Sequence, residues 1–338
     1  MDEINRVAPT AKQPELITEP DADGLALAIA ALRRGRLVAF PTETVYGLGA
    51  DARNDKAVAS IFEAKGRPAH NPLILHVKDL ETARLYGRFD ELSLKLAEHF
   101  WPGPLTLVVP RLDDAGLSPF ISAGLETIAL RVPVNKVARS LLEGFDGPVA
   151  APSANPSGLL SPTEAEHVED MMGDRVAIIL DDGPCEQGLE STILGFEEGQ
   201  LTLLRPGALP KEQIESFLGQ FLKTHKADED APEAPSAPGQ FSSHYAPNAR
   251  LRLNALEGRE GELMLAFGPD APKGTPGVNL SPTGNLQEAA VNLYAYLHLL
   301  DDTGIATIAV MPVPHEGLGE AINDRLSRAG APRPQNRQ

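Results

Sequence analysis

A helix, a rigid loop and a short apolar strand follow one another between Asn54 and His76, and this order constrains the fold strongly. The segment Asn54 to Ala64 has apolar residues at helical spacing, begins at a capping asparagine and is stopped by Gly66. Pro68 and Pro72 then restrict the loop, because a proline fixes its own φ and limits the residue before it. The sequence therefore predicts an ordered loop that starts from a defined helix end.

Two cations stand at the start of this loop. Lys65 and Arg67 leave the helix together, and an ammonium beside a guanidinium suits a polyanion such as a nucleotide phosphate chain. The alternative interpretation is a helix end whose cations stabilise the macrodipole. The spacing alone favours this alternative, so a binding site here needs support from other segments.

The composition excludes several classes of protein. With 338 residues, 42% of them hydrophobic, the chain can bury a sizeable core and form two domains. The net charge of -17, with 19 basic and 31 acidic residues within positions 1–210, argues against nonspecific nucleic-acid binding. The single cysteine, Cys185, excludes an intramolecular disulfide and a four-sulfur metal site. No nucleophile signature surrounds it, so we interpret it as incidental.

A change of composition divides the chain. The acidic, proline-containing stretch from Lys223 to Gln240 cannot bury a core and indicates a linker. The segments that follow alternate as strand, helix, strand and helix, which predicts a small α/β unit. Their ranges are 262–267, 286–300, 305–310 and 319–329.

These observations predict the domain organisation and the location. The predicted parts are a tail at 1–15, a first domain at 16–221, a linker at 222–247 and a second domain at 248–338. No apolar run reaches membrane-spanning length, and the acidic start of the chain lacks the pattern of a signal peptide. We therefore expect a cytoplasmic protein.

The first domain alternates predicted helices and strands. The helices are predicted at 23–34, 54–64 and 92–100, and the strands at 37–40, 73–77, 105–109, 127–132, 148–151, 176–180, 191–194 and 201–204. Thr42 to Asp51 is predicted to be a polar, glycine-rich loop whose hydroxyls suit a small polar ligand. The pattern Gly47-x-Gly49-x-x-Ala52 superficially fits a dinucleotide fingerprint, but the gap after the strand and the separate cap of the next helix argue against one.

Polar residues in apolar surroundings are further candidates. His76 lies near a strand end, where a hydrogen-bonded core histidine is the more usual role. Arg131 lies in an apolar strand and needs either a core carboxylate or a bound anion as its partner. Ser153 and Asn155, two apart in an extended segment, are predicted to point the same way and to offer a hydroxyl and an amide to one ligand. Ser161 to Glu164 is predicted to be the capping box of a further helix, which runs through Met171.

Taken together, these segments resemble the YrdC family, and specifically its two-domain form, the L-threonylcarbamoyl-AMP synthases. The matching motifs of the first domain are Pro41 to Gly49, Lys65 to Leu73, Ser153-Ala154-Asn155 and Gly188 to Thr192. Those of the second part are Pro238-Gly239-Gln240, His244 to Pro247, Gly317-Leu318-Gly319 and Ala321 to Leu326. Each motif is weak alone, but the set is highly specific and covers nearly the whole chain.

The resemblance implies a fold and a reaction. The implied fold is a twisted open mixed sheet with helices, followed by a smaller Rossmann-like α/β domain. The implied reaction joins L-threonine, bicarbonate and ATP into threonylcarbamoyl-AMP and releases pyrophosphate, with Mg²⁺ carried by ATP and pyrophosphate. The product serves a downstream machinery that makes threonylcarbamoyladenosine in tRNA. Neither membrane association nor stable nucleic-acid binding is expected.

By position, the resemblance also implies the site residues. The catalytic set would be Lys65, Arg67, Ser153 and Asn155. The threonine ligands would be Thr44, His76, Arg131 and Ser191. The nucleotide ligands would be Arg67, Asn71, Thr127, Ser153, Ser161 and Arg205, and the lid would contain His244 and Tyr245.

This assignment suits the chemistry of the reaction. The threonine amine would add to bicarbonate, and the resulting carbamate would attack the α-phosphorus of ATP, so that no protein nucleophile is needed. Catalysis would depend on positioning and on charge neutralisation by Lys65 and Arg67, while Arg131 would pair with the threonine carboxylate. Two alternatives remain open. An RNA-binding module would show RNA affinity that falls steeply with salt, and carbamoyl transfer from carbamoyl phosphate would not need threonine.

Overall fold

The computed structural model describes residues 16–225, 237–239 and 244–332. The tail predicted at 1–15 lies outside these ranges, as does most of the linker predicted at 222–247. Within the described ranges, no helix is long and apolar enough to cross a membrane.

Strands and helices alternate along the chain. The strands are β1 Leu16–Thr18, β2 Val38–Phe40, β3 Gly47–Asp51, β4 Ile74–His76, β5 Leu105–Pro110, β6 Thr127–Arg131, β7 Val149–Ala150, β8 Ile178–Leu180, β9 Thr192–Glu197, β10 Gln200–Arg205, β11 Lys223–Thr224, β12 Arg250–Arg252, β13 Glu262–Ala266, β14 Gly277–Asn279 and β15 Thr307–Val310. The helices are α1 Ala22–Arg33, α2 Asp55–Lys65, α3 Leu80–Ala83, α4 Glu91–Phe100, α5 Lys136–Phe145, α6 Ala165–Met172, α7 Lys211–Leu218, α8 Leu286–Asp301 and α9 Leu318–Gly330.

The strands form two sheets. The large sheet has the order β1-β8-β2-β3-β7-β4-β6-β5-β9-β10-β11 and mixes parallel pairs, such as β4 with β6, with antiparallel pairs, such as β2 with β3. The small sheet has the order β12-β15-β13-β14, and all of its pairs are parallel. The predicted fold class is therefore confirmed: a mixed α/β sheet is followed by a smaller, Rossmann-like unit.

The helix that precedes the predicted loop ends as the sequence indicates. The Asn54 side chain accepts hydrogen bonds from the backbone N–H groups of Lys56 and Ala57, which caps the start of α2. Gly66 adopts the left-handed conformation, with φ 59°, and ends the helix. Lys65 is the last helical residue and is buried.

The glycine-rich segment differs from its prediction as a loop. Gly47 to Asp51 forms β3, which pairs with β2 on one side and β7 on the other. A Cβ at Gly49 would lie 2.9 Å from Cε1 of Phe40 and 3.1 Å from Cγ1 of Val149. The glycine therefore permits close packing in the middle of a sheet, which explains why a glycine-rich pattern here does not indicate a loop.

Other local predictions are wrong or incomplete. The capping box at Ser161 to Glu164 is not formed, because Glu164 is the N-cap residue of α6 and its side chain makes no capping bond. The Ser161 hydroxyl instead donates to Glu190, 2.6 Å away. Several further elements were not predicted from the sequence: the helices α3, α5 and α7 and the strands β1, β11, β12 and β14.

The two domains share a hydrophobic core. The cluster that contains Leu293, Leu297 and Ile322 of the second domain also includes Val45 and Leu189 of the first. Apolar burial therefore fixes the second domain against the β2–β3 connection, where polar site residues had been predicted.

Candidate active site

One cavity collects most of the predicted site residues. It comprises about 570 Å³ of space between protein atoms, part of it open to solvent, and is lined by residues from the carboxyl ends of β4 and β6 and by the predicted lid residues. In open α/β sheets, ligands commonly bind at the carboxyl ends of parallel strands. The predicted site residues that line it are Thr44, Arg67, His76, Arg131, Ser153, Ser191, Arg205, His244 and Tyr245.

Five predicted site residues lie outside the lining of this cavity. They are Lys65, Asn71, Thr127, Asn155 and Ser161. Thr127 lines a separate groove beside β5 and β10, so the structure does not bring it to the other predicted nucleotide ligands. Asn71 and Ser161 are fully buried, and Ser161 contacts the cavity only through Glu190.

The prediction that the side chains of Ser153 and Asn155 point the same way is wrong. Ser153 lines the cavity, whereas Asn155 is fully buried and its amide donates to the backbone carbonyls of Pro156 and Leu159. The segment is not a regular strand, so alternation does not hold: Ser153 forms a single bridge with Gly47 and the chain then bends.

Thr44 presents a hydroxyl oxygen at one end of the cavity. The Thr42 hydroxyl donates its proton to the carbonyl of Val45, 2.7 Å away, and lies 2.8 Å from the Thr44 hydroxyl. Because Thr42 has only one proton, Thr44 must be the donor of the bond between the two hydroxyls. The Thr44 oxygen therefore retains lone pairs that can accept a hydrogen bond from a ligand amine or hydroxyl.

Arg131 and His76 stand side by side at the strand ends. They are register partners in the parallel pair of β6 and β4. Nη2 of Arg131 lies 2.7 Å from Oε1 of the buried Glu43, but the N–H is not aligned for a hydrogen bond. Nε of Arg131 and Nδ1 of His76 are buried and find no hydrogen-bond partner among the residues that the structure describes. Such atoms are costly unless a ligand satisfies them.

The charge state of His76 follows from its burial. Desolvation, helped by the adjacent Arg131 charge, lowers the pKa of His76 to about 3, so the imidazole is neutral at physiological pH. Arg131 thus has a core carboxylate as its partner, one of the two options open from the sequence. Its Nε, which has no partner among the described residues, remains available to an anionic ligand.

Lys65 and Arg67 both donate hydrogen bonds to backbone carbonyls near the predicted loop. Nζ of Lys65 donates to the carbonyls of Ser153, at 2.5 Å, and of Asn155. The Arg67 guanidinium donates to the carbonyl of Pro72, at 2.7 Å, and to that of Asn71. Burial lowers the pKa of Lys65 well below its ordinary value, and the positive charges of Arg67 and Arg175 act in the same direction. The acceptors of both cations are therefore neutral carbonyl groups, which do not balance their positive charge.

Arg205, the last residue of β10, binds Ser191, the residue just before β9. Its guanidinium donates to the carbonyl of Ser191 at 2.8 Å and to the Ser191 hydroxyl at 3.2 Å. Burial lowers the pKa of Arg67 to about 9, and the charge of Arg205 contributes to this shift. The cations at 65, 67 and 205 thus destabilise one another, and a polyanionic ligand would relieve that repulsion.

Residues His244 to Ala246, called the lid segment below, close the cavity. Both rings of His244 and Tyr245 are buried, with ring centroids 4.0 Å apart. The backbone N–H of Ala246 donates to the carbonyl of Gly158. Burial lowers the pKa of His244 to about 3, so its ring is neutral at physiological pH. Gly239, with φ +88°, is tightly placed, because a Cβ there would lie 2.6 Å from the Tyr245 hydroxyl.

Three residues that matter for the site were missed from the sequence. Glu43 pairs with Arg131, and Glu190 lines the cavity while it pairs with Arg325 of the second domain. Both glutamates stand inside motifs that carried the family resemblance, and Arg325 stands inside another. Their place inside these motifs was the available signal, but the partner of each glutamate is distant in sequence.

Comparison with known proteins assigns the chain to a family. The profile Sua5_yciO_yrdC, described as "Telomere recombination", matches residues 30–207, more than half of the chain. The chain belongs to the Sua5–YciO–YrdC family. A second profile, "Threonylcarbamoyl-AMP synthase, C-terminal domain", matches residues 209–331. The two-domain form of the family, which the motifs resembled, is therefore confirmed.

Relatives of the family cover both domains. A Bacillus subtilis protein named threonylcarbamoyl-AMP synthase is 40% identical over 328 residues, which are 91% of this chain and 93% of that protein. A Pyrococcus abyssi protein of the same name is 39% identical over 322 residues, which are 90% of this chain and 93% of that protein. The crystal structure of P. abyssi Sua5 complexed with L-threonine has a TM-score of 0.83 at 38% identity, covering 90% of this chain and 94% of that one. The two-domain architecture seen here is thus shared with that structure.

Proposed function

We propose that this chain is a threonylcarbamoyl-AMP synthase, which forms threonylcarbamoyl-AMP and pyrophosphate from L-threonine, bicarbonate and ATP. The observation that carries the proposal is the meeting of two kinds of group in one cavity. Arg67 and Arg205 offer buried positive charge to phosphates, and Arg131 with His76 offers unpartnered polar atoms to a carboxylate. The names of the relatives and the threonine complex of P. abyssi Sua5 support this assignment.

The reaction needs positioning rather than a protein nucleophile. The threonine amine attacks the carbon of bicarbonate, water leaves, and a carbamate forms. An oxygen of that carbamate attacks the α-phosphorus of ATP, and pyrophosphate leaves. Thr44 would accept a hydrogen bond from the amino acid, and Arg131 would bind its carboxylate. The cations at 65, 67 and 205 would balance the phosphate charge.

Cys185 is not needed for this chemistry. Its thiol is buried, and burial raises its pKa above the ordinary value, so the thiolate form is disfavoured. This agrees with its interpretation as incidental.

The metal would enter with the nucleotide. Among the residues that the structure describes, no group of three His, Cys, Asp or Glu side chains is placed to hold a metal ion. Phosphate oxygens and water would supply most ligands of Mg²⁺, as is usual for this ion. We further propose that the product passes to a downstream tRNA-modifying transferase.

Pyrophosphate release tests the proposal directly. Purified protein would be incubated with Mg²⁺, ATP and bicarbonate, and with each amino acid in turn. We expect release only with L-threonine, and mass spectrometry should detect threonylcarbamoyl-AMP. Release that is independent of threonine, or its absence with all substrates present, would contradict the proposal.

The variant Arg131→Lys tests the threonine side. Lysine keeps the positive charge beside Glu43 but lacks the planar fork, so the KM for threonine should rise about tenfold or more while the KM for ATP changes little. Arg139→Lys, a change at a partly exposed residue of α5, is the matched control and should behave like the parent. An equal rise of both KM values would argue against a threonine-specific role for Arg131.

A further inference from the structure

Helix α9 of the second domain places a buried arginine at the domain boundary. Arg325 is 1% exposed. Its Nε donates to Oε2 of Glu190 at 2.7 Å, and its Nη2 donates to the carbonyl of Pro206 at 3.0 Å. Both acceptors belong to the first domain. The guanidinium is therefore a polar link between the two domains at this position.

Glu190 joins this contact between the domains to the cavity. It lines the cavity, immediately precedes Ser191, and also accepts hydrogen bonds from Ser161 and from Tyr294 of α8. The attraction of Arg325 and Arg205 lowers the pKa of Glu190 to about 2 in spite of its burial. A charged carboxylate at this point needs a cation, because an unpaired buried charge is strongly destabilising.

The same helix also holds the lid segment. The Cζ atom of Arg325 lies 4.8 Å from the ring centroid of Tyr245, which is a cation–π distance. The backbone N–H of His244 donates to the carbonyl of Arg328, one turn further along α9. One side chain of the second domain thus contacts two separate walls of the cavity, at Glu190 and at Tyr245.

Arg325 has no nitrogen directed at a ligand. Nε donates to Glu190, Nη2 donates to Pro206, and Nη1 donates to Asp324 at 2.5 Å. Asp324 is in turn held by Arg328, at 2.9 Å, which fixes the orientation of the fork. Arg325 is also not among the residues that line the cavity. Any effect on the reaction must therefore pass through the groups that Arg325 contacts, and of these Glu190 and Tyr245 line the cavity.

We infer that Arg325 is a positioning residue through which the second domain holds the Ser191 wall and the lid segment in the geometry that binds substrates. This gives the second domain a role in catalysis without a catalytic group of its own. The inference rests on the proposed function only for its kinetic consequence. The structural consequence can be measured in the free protein.

Hydrogen–deuterium exchange is the primary test. In Arg325→Met, the amides of residues 190–192 and 244–246 should exchange about tenfold faster or more than in the parent protein. Arg325→Lys keeps a positive charge for Glu190 and for the Tyr245 ring, and should give an intermediate rate. If Arg325→Met fails to fold, the exchange rates of Arg325→Lys provide the test. Unchanged exchange at both segments would overturn the inference, whatever the protein's activity.

Lys211→Gln is the matched control. Lys211 pairs with Glu320 of the same helix at 3.0 Å, across the same domain boundary, but lies outside the cavity lining. Its loss should leave exchange at the two walls unchanged. Equal acceleration in Lys211→Gln and Arg325→Lys would show that domain docking in general is responsible, and would also overturn the inference.

Kinetics then measures the consequence for the reaction. In Arg325→Lys, the KM values for ATP and threonine should both rise about tenfold, with a smaller change in kcat, because the walls are loosened and no reacting group is lost. A fall in kcat with unchanged KM values would contradict a positioning role. If the parent protein releases no pyrophosphate, the proposed function fails, but the exchange result still decides the inference.

Discussion

At the scale of single residues, the site is a set of buried charges that are only partly compensated. Glu43 pairs with Arg131 and Glu190 with Arg325, while Lys65 donates to two backbone carbonyls and to the neutral side chain of Asn155. Burying these charges without a ligand lowers the stability of the folded protein, and a bound polyanion would recover that free energy as binding affinity. The buried cations that lower the stability of the folded protein are therefore the groups that we expect to bind substrate.

Substitution of Lys65 tests this view. Lys65→Ala should lower the rate of pyrophosphate release by about 100-fold or more, because the cation next to Arg67 is lost. It should also reduce the free energy of unfolding by about 1–3 kcal/mol, since two buried carbonyls lose their donor. Lys56→Ala, at an exposed position of the same helix, is the control for both measurements. Near-normal turnover in Lys65→Ala would refute the assigned role.

At the scale of elements, some local signals were interpreted correctly and others were missed. The cap at Asn54, the stop at Gly66 and the strand that includes His76 are all observed. β3 was missed because its glycines have the composition of a loop, and only the neighbouring Phe40 explains them. α5 was omitted although its buried face, which includes Val137 and Leu141, has regular helical spacing.

The glycines of β3 give a prediction at this scale. Gly49→Ala should reduce the free energy of unfolding by about 1–3 kcal/mol, because the new methyl group would press against Phe40 and Val149. Gly47→Ala is the matched change within the same strand, since its methyl group would meet its neighbours at 3.4 Å or more. Denaturant unfolding of the two variants should separate them clearly, and equal stabilities would show that the strand adapts to the added group.

At the scale of the whole molecule, the two domains meet through buried polar groups as well as a shared core. His298 of α8 stacks on His167 of the first domain, with ring centroids 4.0 Å apart, and its Nε2 donates to the carbonyl of Ser161 at 3.2 Å. Burial, helped by His167, lowers the pKa of His298 to about 4. The interface is thus built for a neutral imidazole.

This interface predicts a dependence of stability on pH. Because the folded pKa of His298 lies below the unfolded value, its contribution is complete above about pH 6.5 and is lost as the pH falls toward 4. The loss approaches about 3 kcal/mol when it is fully developed. Urea unfolding at pH 7, 5.5 and 4.5 should show a weaker pH dependence in His298→Gln, which can still donate to Ser161. The same dependence in both proteins would contradict a role for this histidine.

The sequence by itself determined the boundaries of the strongly patterned elements, the family and the residue types that a reaction between an amino acid and a nucleotide requires. These features depend on local spacing, caps and motif order, which are readable along the chain. The tertiary structure alone decided that Thr127 lies apart, that Asn155 turns away from the cavity and that Glu43, Glu190 and Arg325 complete the site. Such pairings join residues far apart in sequence, and they follow from strand register and domain docking, which no local pattern specifies.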